Sequence, residues 1–341
     1  MELIKSIKKN TIIIVFITIL VLYILLRKDF PKVMESLKHL DVKYLLVAIF
    51  FYVMYLVLHS YVVYKTVNDK KKFTLKESIK HNVIAQFFNG ITPFSTGGQP
   101  MEIYMLTEHD IKGSKATNYI LQNFVFYQIA LVIFGILAVI FNTVFKLFPK
   151  VNAIRELVGV GFFINTLVAV VILIISLSKT VTNKIIDWII NILYKIHIVK
   201  HKEKQLKAWH KKCDEFNECA DELKKRKGLF VMGVILNFLG LVCLYITPLF
   251  IVYALGDFKS LNVISTLTSS AYVMVMSAFV PIPGASGGVE YGFTQFFGNF
   301  LGETVTKTAL LLWRFITYYL GLIVGAVVFN IDAKEGEEKW E

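Results

Sequence analysis

Two breaks of one design interrupt otherwise long apolar stretches, and they leave this chain few architectures. The first reads Pro93-Phe-Ser-Thr-Gly-Gly98 and the second Pro283-Gly-Ala-Ser-Gly-Gly288, one in each half of the sequence. Inside a bilayer no water pairs with backbone amides and carbonyls, so lipid-facing chain is helical or part of a closed barrel. Proline removes an amide donor and glycine weakens a helix. Such breaks fit an apolar region only where the backbone lines a protein cavity.

The remaining apolar runs support a membrane setting. A spanning helix needs about 20 apolar residues, and six segments qualify: 11–26, 44–64, 117–142, 157–178, 229–255 and 306–330. The regions 81–106 and 261–301 hold the breaks. Hydrophobic residues make up 55% of the chain and charged residues 18%, against about 25% charged in soluble domains. The expected fold class is an all-α integral membrane protein, a polytopic helix bundle of about six full spans plus two broken re-entrant segments. The Arg27-Lys28-Asp29 sequence after the first apolar run leaves no small-residue cleavage site, so 11–26 reads as a retained helix.

Basic loops set the orientation. Thirteen Lys and Arg residues lie in 179–228, and Lys65, Lys70, Lys71, Lys72, Lys76 and Lys80 mark a second loop. Placing both in the cytoplasm puts both termini there and gives a multi-pass protein of the cell membrane. The loop with Arg27, Lys28, Lys32, Lys38 and Lys43 then falls outside, against the rule. In this arrangement the two halves have opposite topology, an inverted repeat with two turns facing each other near the midplane. The chain divides into a first half 1–178, a cytoplasmic or interfacial connector 179–228, a second half 229–330 and a short acidic tail 331–341 within one transmembrane domain. The alternative is that the breaks are ordinary loops, since Leu261–Val280 is long enough to span. Within the connector, Ile185, Trp188, Ile189, Ile192 and Ile196 share one helical face, as in an interfacial helix. A stripe from Leu206 to Leu223 suits helix packing or a plain connector.

The formal net charge of +12 belongs to those loops, and nucleic acid is not an expected partner. Cys213, Cys219 and Cys243 form no CxxC pair, and neither a metal nor a cofactor is expected. No GxSxG, HExxH, Walker or Rossmann signature points to catalysis, so no catalytic residue is assigned.

The breaks themselves are the candidate site. Amides at Gly97, Gly98, Gly287 and Gly288 and the helix starts behind them offer donors and a partial positive charge. Pro93 and Pro283 open the turns, and Ser95, Thr96, Ser286 and Gln99 add polar groups. This chemistry suits a phosphate, a carboxylate or another anion. Ionisable residues at membrane depth are functional candidates. Glu290 follows the second break and Arg314 lies inside the last span, so Arg314 is expected to pair with Glu290, to face the cavity and to meet a lipid phosphate. The alternative is an Arg314 that snorkels to the surface. Glu102 is the expected counterpart in the first half. Gln122, Asn123, His81, Asn82 and Asn89 are either lining or helix-packing residues.

At these residues the chain resembles a known family. Asn89-Gly-Ile-Thr-Pro-Phe-Ser-Thr-Gly-Gly-Gln-Pro100, Pro281-Ile-Pro-Gly-Ala-Ser-Gly-Gly-Val-Glu290, and Arg314 with Tyr318 and Tyr319 are similar to the transmembrane domain of lysylphosphatidylglycerol synthase/flippase proteins, the multiple peptide resistance factor type. The resemblance covers nearly the whole chain. It implies a domain that moves aminoacylated phosphatidylglycerol between leaflets, with the two breaks, Arg314 and Tyr318 at the cavity. Full-length members continue into a cytoplasmic aminoacyltransferase domain, whereas this sequence ends at Glu341, so the expectation is a stand-alone flippase-like domain. The expected partner is a membrane phospholipid, with a homo-oligomer or a lipid-modifying enzyme as further partners. The alternatives are a phosphatidylglycerol lysyltransferase or a subunit of one, and a flippase for polyprenyl-phosphate-linked sugars.

Overall fold

A computed structural model describes residues 30–67, 73–149, 158–164, 166–167, 170–171, 179–195, 202–203, 205–211, 214 and 225–338. The expected span 11–26 lies outside these residues, and 157–178 is described only in part, as helix. The fold is all-α and polytopic. Its helices are α1 (Phe30–Lys38), α2 (Val42–Thr66), α3 (Leu75–Ile91), α4 (Gly98–Glu108), α5 (Gly113–Phe145), α6 (Lys179–Lys195), α7 (Lys227–Ala254), α8 (Val263–Ser277), α9 (Gly288–Phe297), α10 (Glu303–Arg314) and α11 (Leu320–Glu338). The last two join through a π-turn, Phe315–Tyr319.

Among the described residues four helical stretches are long and apolar enough to span: Val42–Thr66, Gly113–Phe145, Lys227–Ala254 and Glu303–Ile331. The broken regions resolve into helical hairpins. In each, a helix of 17 or 15 residues runs to a tight turn, Pro93–Ser95 or Pro283–Ala285, and a shorter helix returns along it. Both halves thus follow one plan: a long helix, a hairpin, and a second long helix.

The order of contacts shows that the plans are inverted. The Asp41 amide, just before α2, donates to the carbonyl of Ala254 at the end of α7 (2.8 Å). Arg226, just before α7, donates from Nη2 to the carbonyl of Lys65 near the end of α2 (3.0 Å). The two helices that open the halves are therefore antiparallel along their length. The α3–α4 hairpin enters from the Lys65 face and the α8–α9 hairpin from the Ala254 face, and their turns touch. Each closing helix crosses to the other half, with α5 packing on α7 and α8, and α11 on α3.

Local chemistry starts each hairpin. Thr74 and Glu77 form a reciprocal capping box that satisfies the first amides of α3. Asn262 and Ser265 do the same for α8. The main apolar core lies between α7, α8, α9 and α10, with Tyr245, Tyr272, Phe293, Phe296, Phe297 and Trp313 buried. In the connector, α6 leaves Trp188, Ile189 and Ile192 exposed on the face expected to meet the membrane interface.

The inverted plan predicts which positions share a face. In a chain with Cys213, Cys219 and Cys243 replaced by serine, Lys76→Cys and Lys227→Cys are expected to react with a membrane-impermeant maleimide from one side of sealed vesicles. Phe258→Cys is expected to react only from the other side. Labelling of all three from one side would contradict it.

Candidate functional site

The two breaks open alike and part at the first glycine, where Gly97 has φ -82° and Gly287 φ 91°. After each proline the next two residues take left-handed backbone: Phe94 and Ser95 at φ 52° and 54°, Gly284 and Ala285 at φ 63° and 49°. Three of these four are not glycine, a cost that persists only where surrounding contacts impose the turn. Thr96 Oγ1 donates to the Pro93 carbonyl (3.0 Å), and Ser286 Oγ to the Pro283 carbonyl (3.4 Å). This bond explains why a hydroxyl residue stands at the fourth position of both motifs. The second glycine of each pair starts the return helix where the chain has no room for a Cβ. One built on Gly98 would lie 2.4 Å from Asn89, and one on Gly288 would lie 2.2 Å from Val280.

The glycine amides are largely taken by the protein itself. The Gly97 amide donates to Thr92 Oγ1 and the Gly98 amide to Asn89 Oδ1, both at 2.8 Å. The Gly287 amide donates to Glu290 Oε2 at 2.6 Å. The sequence suggested that these amides are open to an anion. Three of the four, those of Gly97, Gly98 and Gly287, are instead capped by side chains, because helix-start donors buried in the bundle need acceptors.

The second turn carries the strongest electrostatic feature. Arg314 and Glu290 are 4% and 2% exposed. Arg314 Nε lies 2.8 Å from Glu290 Oε1, with its N–H not aimed at the oxygen, so the attraction is chiefly between charges. Arg314 Nη2 donates to the Gly284 carbonyl (2.9 Å), and the guanidinium sits 4.5 Å from the centre of the Tyr318 ring. Tyr318 then donates from its hydroxyl to the Gly90 carbonyl (3.0 Å), in the last turn of α3. Glu290, Arg314, Tyr318 and Gly90 thus tie the second turn to the hairpin of the other half.

A cavity of about 550 Å³ lies between the halves. From the first break Phe94, Ser95, Gln99 and Glu102 line it; from the second, Ile282 and Ala285. Its polar wall includes His59 of α2, Asn82 and Asn89 of α3, and Asn123 and Gln128 of α5. The end of α8 and the chain before the second turn add mostly apolar lining, with Met274, Val275, Phe279 and Val280. Arg314 and Glu290 are not among the lining residues. Arg314 was expected to face the cavity and a lipid phosphate; it pairs with Glu290 but is closed behind the second turn. Its reach is consumed by the carboxylate and the Gly284 carbonyl.

Glu102 does not repeat the role of Glu290. It lies four residues beyond Gly98, whereas Glu290 lies two beyond Gly288, so it cannot cap the turn. It lines the cavity instead, 6% exposed. Pro93, Thr96, Gly97, Gly98, Pro283, Ser286, Gly287 and Gly288 build the turns, and none of these eight is among the lining residues. Gln122 is buried beside Asn118 on α5 rather than lining the cavity, and His81 packs on the rings of Phe73 and His109. Tyr55, His59, Tyr127, Gln128 and Tyr245 were not singled out in the sequence. A histidine within an apolar span was a signal for His59; the tyrosines gave none.

With this geometry in place, similarity to other proteins becomes informative. The profile of the family described as the lysylphosphatidylglycerol synthase TM region matches residues 11–325. The chain belongs to that family. A protein named UPF0104 membrane protein from Archaeoglobus fulgidus is 23% identical over 259 residues, 74% of this chain and 75% of the relative. An uncharacterized protein, MG306 homolog, from Mycoplasma pneumoniae is 24% identical over 275 residues, 72% of this chain and 66% of the relative.

The second turn can be tested directly. Gly284→Ala combines a positive φ with a Cβ only 2.3 Å from the Tyr318 hydroxyl. It is expected to destabilise the protein by about 1–3 kcal/mol. Tyr318→Phe loses one hydrogen bond and leaves the Gly90 carbonyl unpaired, for about 1–3 kcal/mol. Both are read as lowered unfolding temperatures in detergent, and wild-type temperatures would contradict the described turn.

Proposed function

We propose that this chain is a flippase-like transporter that moves an anionic or aminoacylated phospholipid between leaflets. The observation that carries the reading is the cavity between two inverted hairpins, lined by both polar and apolar residues. A phospholipid has the same division, a polar headgroup beside acyl chains. The headgroup occupies the polar wall while the chains remain against Met274, Val275, Phe279 and the surrounding lipid. Binding sites of this type lie where two inverted repeats meet, and rocking one repeat against the other exposes them to each side in turn. Family membership agrees with a lipid substrate, since the family's description names a lipid synthase.

The bolt from Arg314 through Tyr318 to Gly90 joins the repeats and is the contact that must yield or pivot during rocking. We assign the face bearing Lys65 and Arg226 to the cytoplasm of the cell membrane, because basic loops favour that side, and both termini with it.

The reading is tested by leaflet exchange. The protein is reconstituted into liposomes with fluorescent phosphatidylglycerol or lysyl-phosphatidylglycerol, and the outer leaflet is quenched with dithionite. Exchange above that of empty liposomes is expected for at least one of the two lipids. Ala278→Trp, which fills the cavity, is expected to return the rate to that of empty liposomes while the variant remains monodisperse. No exchange of either lipid by the wild-type chain would overturn the reading.

A further inference from the structure

The cavity is rich in acceptors and poor in positive charge. Glu102 is buried there and makes no hydrogen bond or ion pair with any described residue. Gln128 also lines it, and its Oε1 is a buried acceptor with no partner. Tyr55, Tyr127 and Tyr245 contribute aromatic side chains. No Lys or Arg is among the described lining residues. Among the described residues the guanidinium near the turns, that of Arg314, is paired with Glu290 outside the cavity.

We propose that this cavity is an ammonium site, in which Glu102 receives the amino group of a lipid headgroup in exchange for a proton. The inference rests on the lipid-transport reading and reverses its polarity: the cavity holds the cationic end of the headgroup, and the phosphate lies elsewhere. A primary ammonium has three N–H donors and no acceptor. Glu102 offers it a carboxylate, and aromatic rings at the lining attract a cation. A phosphate would meet an unpaired carboxylate and no compensating cation.

The same burial supplies the exchange. A carboxylate deep in the bundle without a counter-charge is strongly disfavoured, so it is neutralised by a proton or by the incoming ammonium, and the two exclude one another. When the ammonium arrives, the carboxyl O–H bond breaks, the proton leaves to solvent, and the carboxylate pairs with the N–H⁺. The other titratable groups facing Glu102 across the cavity are His59 and Tyr55 of α2, Tyr127 of α5 and Tyr245 of α7. His59 Nε2 is engaged with the Asn123 amide at 3.0 Å, whereas Glu102 has no such partner among the described residues, so Glu102 is the group placed to exchange.

The test is calorimetric binding to the full chain in detergent, in two buffers of different ionisation enthalpy. The probes are lysyl-phosphatidylglycerol, phosphatidylethanolamine and phosphatidylglycerol. The two amine lipids are expected to bind with release of a proton, and their affinity to rise with pH by up to about tenfold per unit. Phosphatidylglycerol is expected to bind at least about tenfold more weakly, about 1.4 kcal/mol, and to release none. Binding by lysyl-phosphatidylglycerol alone of the two amine lipids assigns the source of the ammonium to an aminoacyl group; binding by phosphatidylethanolamine as well assigns it to any primary amine. Glu102→Gln is expected to abolish proton release and Glu102→Asp to retain it. The inference is overturned by equal proton release in wild type and Glu102→Gln, or by phosphatidylglycerol binding as tightly as the amine lipids. Should Glu102→Gln fail to fold, a wild-type affinity that is flat with pH for every amine lipid that binds also overturns it. Leaflet exchange of phosphatidylglycerol alone would sink the ammonium site while leaving lipid transport intact.

Discussion

The structure turns on one buried ion pair. Arg314 and Glu290 meet at 2.8 Å in the interior of a membrane bundle, where either charge alone is expensive. Their partners make the pair structural. Glu290 caps the start of α9 through the Gly287 amide, and Arg314 holds the Gly284 carbonyl at the tip of the turn. One carboxylate and one guanidinium therefore fix two backbone positions, the Gly287 amide and the Gly284 carbonyl, of a segment that lacks regular helical bonding. The π-turn Phe315–Tyr319 follows directly after Arg314. It places the Tyr318 ring under the guanidinium and the hydroxyl on Gly90, so the second hairpin is anchored to the first.

The first hairpin turns by neutral means. Thr92 and Asn89 cap its glycine amides, and no ion pair among the described residues is involved at the turn. Its acidic residue, Glu102, is thereby free of a structural task and sits against the cavity. Two repeats with matching turns thus differ in where they spend a carboxyl group. In one it holds the turn, and in the other it faces the cavity.

Much of the fold was legible because its signals are local. Long apolar runs placed α2, α5, α7 and the Glu303–Ile331 span, and Pro and Gly marked both turns. The Ser/Thr position in the motif was visible, and its bond to the proline carbonyl explains it. The Arg314–Glu290 pairing followed from two charges in apolar sequence. The cavity was harder. Its polar wall is assembled from α2, α3, α4 and α5, and the one face legible within a helix, Asn82, Gln86 and Asn89 of α3, shows only a part of it. The sequence placed anion-binding donors at the glycines because it could not show that Thr92, Asn89 and Glu290 fold back onto them. It placed Arg314 at the cavity because depth in a span says nothing about which side of a turn a side chain occupies.

The central claim is that Arg314 and Glu290 act as one unit holding the second turn. A double-mutant cycle on unfolding in detergent measures it most directly. Arg314→Met and Glu290→Gln are each predicted to cost about 3–5 kcal/mol, because each leaves a buried charge alone. The double variant is predicted to cost clearly less than the two losses added, with a coupling of at least about 1 kcal/mol. Losses that simply add, or single variants of wild-type stability, would contradict the account.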